Sequence, residues 1–452
     1  MSKIELRDEI DFNNDSIPKL FRSILIPTLL GMSFTALFII ADGIFVGRGI
    51  GGDALAAVNI VAPFYSIAVS VGLMLGMGAS ILASIHLVNR KPKVARIVVT
   101  QAAFTAIISM LIISALSLIF LEELLMAVGA TPDLLPLAKE YASCMLPFLI
   151  MGVTFSCVPF FIRLDGAASY AMWCSIIGSS LNIVLDYLFI FVFEWGLTGA
   201  AIATSIGNTV GAVGAFAYLL NKSHNLHFEK VKFSIKSILM TLRNIWYMSK
   251  LGGATFISQL SVVIMMVCGN LVFVRDFGVD GVAAFSVCCY VFPLVSMMYV
   301  AISQSAQPII SSNFAGNLTG RVHESFRIAL IYSIVIGAAL VLGMTLLAPA
   351  VVGLFLEKGT YASDLAIHGA SLFSIGFIPF AINMVVIGYL QSTKEVSNSM
   401  VVMMLRGVVF MLLAFYIVPM IWSTDGGWLA VPVAETATLI CLLLFFRKKF
   451  LR

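Results

Sequence analysis

Hydrophobic residues along this chain fall into long, nearly unbroken runs separated by short polar breaks. Twelve runs can be marked, near residues 19–47, 53–87, 97–120, 136–161, 171–193, 197–220, 251–274, 282–309, 327–354, 365–391, 398–420 and 427–446. A helix that crosses a bilayer needs about 20 apolar residues, whereas a barrel strand would show alternating segments of about ten. The pattern therefore predicts an all-α polytopic membrane protein with twelve transmembrane helices. The longest polar break, 221–250, divides the runs six and six.

The two halves repeat. Gly51-Gly52-Asp53-Ala54-Leu55-Ala56-Ala57 is echoed by Gly278-Val279-Asp280-Gly281-Val282-Ala283-Ala284, and Gly199-Ala200-Ala201 by Gly427-Trp428-Leu429. With six spans per repeat the halves insert the same way up, as two pseudo-symmetric six-helix bundles, an arrangement that marks transporters. The expected organisation is a cytoplasmic N-terminal segment at 1–18, an N-terminal lobe at 19–220, a cytoplasmic linker at 221–250, a C-terminal lobe at 251–446 and a basic cytoplasmic tail at 447–452. Inside the linker, Ile235, Ile238, Leu239, Leu242, Ile245 and Trp246 follow helical spacing, with Lys232, Lys236 and Arg243 largely elsewhere on the wheel. Two readings of it stay open: a helix lying on the inner membrane surface, or a linker whose basic residues merely fix topology.

Composition removes the soluble alternatives. Hydrophobic residues make up 60% of the chain and charged residues 11%, against about 45–50% and about 25% in soluble domains. The net charge of +4 reports loop placement and not nucleic-acid binding. With a cytoplasmic N-terminus, 22 Lys and Arg fall on inside segments and four on outside segments, Arg406 being left within a helix. That distribution satisfies the positive-inside rule for a multi-pass protein with both termini cytoplasmic. The first 17 residues are polar and mixed in charge and do not read as a cleaved signal peptide. All seven cysteines lie in apolar stretches without metal-site spacing and read as small core residues. The five histidines lie near helix ends or loops and form no catalytic or metal cluster, so an enzyme is not expected.

What remains is a small set of polar residues inside the apolar runs. Asn182 and Asp186 are four residues apart and leave one face of the fifth helix. A carboxylate in hydrocarbon is by default part of an ion pathway, proton relay or substrate site. Helix rise puts Asp186 about 12 Å below the outer boundary, Asp42 of the first helix about 9 Å below it and Thr204 of the sixth about 11 Å below it. Three helices of one half thus deliver two carboxylates, an amide and a hydroxyl to nearly the same level, as a functional cation site or as a structural hydrogen-bond network. Two carboxylates within a few ångströms in a low dielectric cannot both stay ionised unless a cation neutralises them, and amide and hydroxyl oxygens add the neutral ligands that hard cations prefer. Asn208, one turn beyond Thr204, and Asn59 are secondary candidates. Pro27, on the same helix as Asp42, is a candidate hinge, or one of the prolines common in membrane helices. The second half lacks the constellation, for Ala414 and Pro432 stand opposite Asp186 and Thr204. Its buried charges, Arg406 and Glu435, lie about 12 Å and about 17 Å from the cytoplasmic side, close enough in depth for an ion pair joining neighbouring helices.

These residues resemble a known family. Ile40-Ala41-Asp42-Gly43-Ile44-Phe45-Val46-Gly47 with Asp53-Ala54-Leu55-Ala56-Ala57-Val58-Asn59 is similar to the first-helix signature of the multidrug and toxic compound extrusion (MATE) transporters. Arg163-Leu164-Asp165-Gly166, the stretch from Asn182 to Asp186, and Gly199-Ala200-Ala201-Ile202-Ala203-Thr204 match further blocks in order. The resemblance is closest to the DinF-like branch, which includes MepA-like exporters. It implies a MATE-like fold of two six-helix lobes around a central cleft, alternating access, and a cation site in the first lobe at Asp42, Asn182, Asp186 and Thr204. The NorM-like branch places acidic residues in its seventh and tenth helices; here the seventh has Gln259 and no acid, and the tenth only Asp364 at its outer edge.

The expectation is a secondary-active exporter of organic, cationic and amphipathic compounds, with Na⁺ or H⁺ as the coupling ion and no cofactor. It would work as a monomer in the lipid bilayer with no nucleic-acid partner. The alternative is a flippase of lipid-linked oligosaccharide or another amphipathic lipid from the same wider superfamily; such proteins carry several basic residues in the cavity, and Arg406 is the only one here. A major-facilitator transporter would need an acidic-basic signature that Leu87-Val88-Asn89-Arg90-Lys91-Pro92 lacks.

Overall fold

The apolar runs fold as helices. The computed structural model describes residues 15–450, apart from 129, 131, 133, 222, 231–233 and 357. Most of the expected N-terminal segment (1–14), the end of the basic tail (451–452), and Lys222 and Lys232 of the linker lie outside the described residues, as do the side chains of Gly52, Leu55, Ala56, Lys236, Val279 and residues 445–450. In order, the helices are α1 (Ile17–Gly49), α2 (Gly52–Val88), α3 (Pro92–Ile119), α4 (Leu121–Val128), α5 (Leu135–Met145), α6 (Leu149–Leu164), α7 (Ala168–Tyr187), α8 (Gly196–Asn221), α9 (Ile235–Ala315), α10 (Thr319–Leu346), α11 (Ala348–Val352), α12 (Tyr361–Ser374), α13 (Phe377–Ser392), α14 (Val396–Met404) and α15 (Phe410–Phe450).

Ten helical stretches among the described residues are long and apolar enough to cross a bilayer, and α12 with α13, bent by 42° at their junction, makes an eleventh. The stretch Val396–Leu444 is bonded as one helix of 49 residues, which would extend about 73 Å, more than twice the hydrocarbon thickness. Its backbone leaves helical geometry at Trp422 and at Ser423 (φ 46°, ψ −115°). A break at that point would make two spans of the stretch, against the ten or eleven counted among the described residues and the twelve expected. The echoed glycine motifs have a common job: Gly51 (φ 128°) and Gly278 (φ 66°) both adopt backbone that side chains disfavour, and each breaks one helix from the next.

One segment differs from expectation. The run at 327–354 ends its helix at Leu346 and resumes as the five-residue α11. The linker is helical from Ile235 and joins the seventh span with no break. Ser234 caps its start by accepting from the Ser237 N–H at 3.2 Å, and neither proline nor glycine occurs between that cap and Gly252.

The chain forms two compact units: one runs to Phe256 and takes in Ser311–Leu318, the other comprises Ile257–Ile310 and the chain from Thr319 onward. In the first, α1 packs along α7, α7 on α8, and α2 on α6 and α3. The α7–α8 contact depends on glycine. A methyl group on Gly207 would lie 2.8 Å from the Gly178 carbonyl oxygen and 2.8 Å from Asn182 Cβ, so the bare glycines let the backbones touch, as small residues do between membrane helices.

The linker belongs to this first unit. The Asp165 carboxylate accepts from the Tyr218 hydroxyl at 2.8 Å and from the backbone N–H of His224 and Asn225 at 2.7 and 2.8 Å. Arg96 Nε donates to the Asn225 carbonyl at 2.9 Å, and the Glu229 N–H donates to Thr100 Oγ1 at 3.0 Å. Gln101 of α3 then bridges Thr241 and Asn244 of α9 through two 2.8 Å bonds. In the second unit α10 packs on α13, and α12 and α13 pack on α15 around the fully buried Trp428.

The glycine contact gives a stability prediction. Gly207→Ala forces α7 and α8 apart and is expected to cost about 1–3 kcal/mol, seen as a lowered melting temperature in detergent. Gly343→Ala, where a methyl would meet nothing within 4 Å, is expected to leave the melting temperature unchanged or raise it.

Candidate cation site

Asp42 lies on α1, Asn182 and Asp186 on successive turns of α7, and Thr204 and Asn208 on α8. The packing of these three helices brings the side chains together. The Asp42 and Asp186 carboxylates are near enough to interact directly, and Asn182 adjoins Asp186. Asn182 Nδ2 donates to Thr204 Oγ1 at 3.3 Å. Asp186 and Asn182 are fully buried, Thr204 and Asn208 buried, and Asp42 half-buried. Directly after Asp186 the helix widens into a π turn over Leu188–Val192, with the Phe193 N–H reaching the Leu188 carbonyl at 2.8 Å. Such turns occur often at functional sites.

Four oxygens at this point have no hydrogen-bond partner: Asp42 Oδ1, both carboxylate oxygens of Asp186, and Asn182 Oδ1. Buried polar atoms are almost always paired, and an exception calls for a ligand or a proton. The donor set is two carboxylates, an amide oxygen and a hydroxyl. Such all-oxygen surroundings suit a hard cation or a proton and contain no soft ligand for a thiophilic metal.

Two tyrosines that the sequence reading did not single out complete the cluster. Tyr65 of α2 donates to Asn208 Oδ1 at 3.5 Å. The buried Tyr141 of α5 faces Thr204 and lies within electrostatic reach of both carboxylates. Asn59 is exposed on α2. Pro27 lies within α1, which continues through it from Ile17 to Gly49.

The second unit resolves its buried charge differently. Arg406 and Glu435 form a two-point ion pair, with Nη2 at 2.7 Å from Oε1 and Nε donating to Oε2 at 2.9 Å. Asn383 Nδ2 donates to Glu435 Oε2 at 2.8 Å and to its backbone carbonyl at 2.9 Å. The guanidinium carbon lies 4.3 Å from the Phe380 ring centre, and Arg406 itself stands in a π turn over Leu405–Val409. Here the positive charge meets a carboxylate and an aromatic face, while Asn383 Oδ1 has no hydrogen-bond partner and Glu435 Oε1 is met by the ion pair alone.

Comparison with known proteins places the chain. The MatE family model matches residues 27–188 and again 254–416, once in each half of the repeat and over most of the chain together. The chain belongs to the MatE family. It is a membrane transport protein and not an enzyme. Among curated relatives it is 22% identical over 444 residues to the multidrug export protein MepA of Staphylococcus aureus (strain MRSA252), covering 96% of this chain and 95% of the relative. Among solved structures it superposes on an outward-facing multidrug resistance MATE family transporter of the MOP superfamily with TM-score 0.89 and 24% identity, covering 100% of this chain and 98% of the other. A further solved structure, a MOP superfamily transporter from Pyrococcus furiosus whose binding pocket is described as having reverse polarity, gives TM-score 0.88 at 24% identity, again over 100% and 98%.

The contrast between the two buried clusters of this MatE chain yields a prediction. Removing one partner of the ion pair, by Arg406→Met or Glu435→Gln, leaves a buried group unpaired and is expected to cost about 3–5 kcal/mol. Replacing both together by apolar residues of similar volume is expected to recover most of that loss. Detergent melting temperatures of the three variants check it.

Proposed function

We propose that this MatE protein is a secondary-active exporter of organic, cationic and amphipathic compounds. It moves substrate outward against inward Na⁺ or H⁺ by alternating access, coupled through Asp42, Asn182, Asp186 and Thr204. The observation that carries the reading is the convergence of four unpartnered, buried oxygens from α1 and α7 on one point. The staphylococcal relative's name, a multidrug export protein, supports the substrate class.

The mechanism follows from electrostatics. Two carboxylates held together in a low dielectric repel each other as bare anions, so the pair is stable only when a cation lies between them or one oxygen holds a proton. Asn182 and Thr204 fix the geometry: one amide N–H donates to the Thr204 hydroxyl, the side chain adjoins Asp186, and the amide oxygen is left without a partner. Loading the site draws α1, α7 and α8 together through their polar faces, and unloading it pushes α1 from α7. α1 has a weak point for such a movement at Pro27, about 22 Å from Asp42 along the helix, where one backbone hydrogen bond is absent. Tyr65, Tyr141 and Asn208 form the polar rim through which the ion reaches the acids.

The expected setting is the plasma membrane, with both termini cytoplasmic and the protein working as a monomer; the distribution of Lys and Arg supports the orientation. The flippase reading leans on Arg406 as a cavity base for a phosphate, and Glu435 already holds that group.

Asp42→Asn and Asp186→Asn are each expected to reduce export to background while the protein still inserts and purifies as wild type. Transport in proteoliposomes with Na⁺ and pH gradients imposed separately measures both the loss and the coupling ion. Full gradient-driven export by both variants would overturn the site, and transport of a lipid-linked sugar with no movement of organic cations would overturn the exporter.

A further inference from the structure

The seventh span is far longer than a bilayer requires. Its helix runs from Ser237 to Gly278, 42 residues, or about 63 Å against a hydrocarbon core of about 30 Å. The uncharged part is 251–274, bounded by Lys250 and Arg275, and those 24 residues suffice for the crossing. Residues 235–250 therefore lie outside the hydrocarbon. Yet in that stretch Ile235, Ile238, Leu239, Leu242 and Trp246 are between 53% and 79% exposed, which is wrong for a helix in water.

The other side of the same stretch is firmly held. Thr241 and Asn244 bond Gln101 of α3, Met248 is fully buried, and methyls on Gly252 and Gly78 would each lie 1.9 Å from the carbonyl oxygens of Met74 and Met248 respectively. The outward face is thus fixed by packing against α2 and α3. At 100° per residue Ile235, Ile238, Leu239, Leu242 and Trp246 form one stripe, while Met240 and Tyr247, also exposed, lie further round the helix. Positions 236, 243 and 250, seven residues apart and all Lys or Arg, occupy a second line directly beside it. Arg243 and Lys250 are exposed, and among the described residues neither forms an ion pair. From 222 to 250 the sequence has six Lys and Arg and one carboxylate, Glu229.

We propose that α9 residues 235–250 form a docking face for anionic phospholipid of the cytoplasmic leaflet, with acyl chains against Ile238, Leu242 and Trp246 and headgroups against Arg243 and Lys250. An apolar stripe edged by a line of positive charge is the signature of a helix at the headgroup level, and tryptophan favours that depth. A nucleic acid would have no use for the apolar stripe, and a soluble acidic protein none for its depth at the membrane. The face lies apart from the cation site, so lipid recognition and export can fail separately.

Native mass spectrometry of the detergent-purified full-length protein, titrated with phosphatidylglycerol or phosphatidylcholine, tests the proposal. Wild type is expected to retain phosphatidylglycerol preferentially, and the Arg243→Gln/Lys250→Gln double variant to lose about fivefold of that preference per charge removed, while Arg243→Lys keeps it. In liposomes containing lipids brominated near the headgroup, the share of fluorescence quenching that disappears in Trp246→Phe reports whether this face meets lipid. Equal retention of both lipids by wild type, an undiminished preference in the double variant, or no Trp246 contribution to quenching would overturn the proposal. Full export by Asp42→Asn and Asp186→Asn, with the wild-type lipid preference intact, would count only against the cation site.

Discussion

Hydrocarbon offers nothing to a charged group, so each charge carried into the membrane must be met by the protein or by something the protein binds. The two units of this chain answer that demand in opposite ways. Arg406 and Glu435 neutralise each other through two contacts, with Asn383 donating to Glu435 and the Phe380 ring 4.3 Å from the guanidinium carbon. Asp42 and Asp186 carry the same sign, and Asp42 Oδ1 and both oxygens of Asp186 find no donor. In the Arg406–Glu435 cluster opposite charges cancel within the protein. In the other, like charges adjoin and the proposed coupling ion would balance them, which is why the coupling proposal rests on the first unit and not on the second.

Placing two acids together is unfavourable, and the helices that do so need contacts strong enough to hold them. Glycines on facing sides of α7 and α8 supply these by letting the backbones approach until Gly207 meets the Gly178 carbonyl, in the turn that carries Asn182 toward Thr204. Next to the acids in sequence, Phe45, Tyr187 and Phe191 cluster with ring centres 5.6 to 6.3 Å apart. The π turn after Asp186 lies between these anchors. It adds a residue to one turn of α7, which leaves Asp186 at the end of a regular helix while the aromatic residues beyond it keep their contact with α1.

Much of the fold was legible because bilayer thickness makes hydrophobic length a strong signal, and helix rise converts residue counts into depth. That conversion brought Asp42, Asn182, Asp186 and Thr204 to one level. Applied only to charged groups and their amide and hydroxyl neighbours, it missed the tyrosines. Tyr141 lies about 8 Å into its run, and Tyr65 about 18 Å, close to the roughly 16 Å of Asn208, which it touches. Depth counting of every hydroxyl would have raised both. Less accessible were the π turns, since an added residue leaves the hydrophobic pattern unchanged, and the end of α10 at Leu346, where the apolar run continues through a break in the helix. The continuous stretch of 49 residues shows the reverse case, with a turn at Ser423 inside unbroken backbone bonding.

The linker is where sequence pattern and packing diverge most. Polarity marks 221–250 as a break between halves, and a break suggests slack. In the folded protein the same residues are bound to the first unit at close intervals: Asp165 holds His224 and Asn225, Thr100 holds Glu229, Phe228 stacks between Phe104 and Phe216, and Gln101 holds Thr241 and Asn244. Each bond is modest, but they hold His224–Glu229 and Thr241–Asn244 to the first unit. The chain first passes from the first unit to the second after Phe256, inside regular helix; Ser311–Leu318 returns to the first unit before the chain re-enters the second at Thr319. Helix backbone bends at a cost that a loop does not incur. The polar segment before Phe256 is thus bonded into the first unit, and the passage that follows it is continuous helix and not a loop.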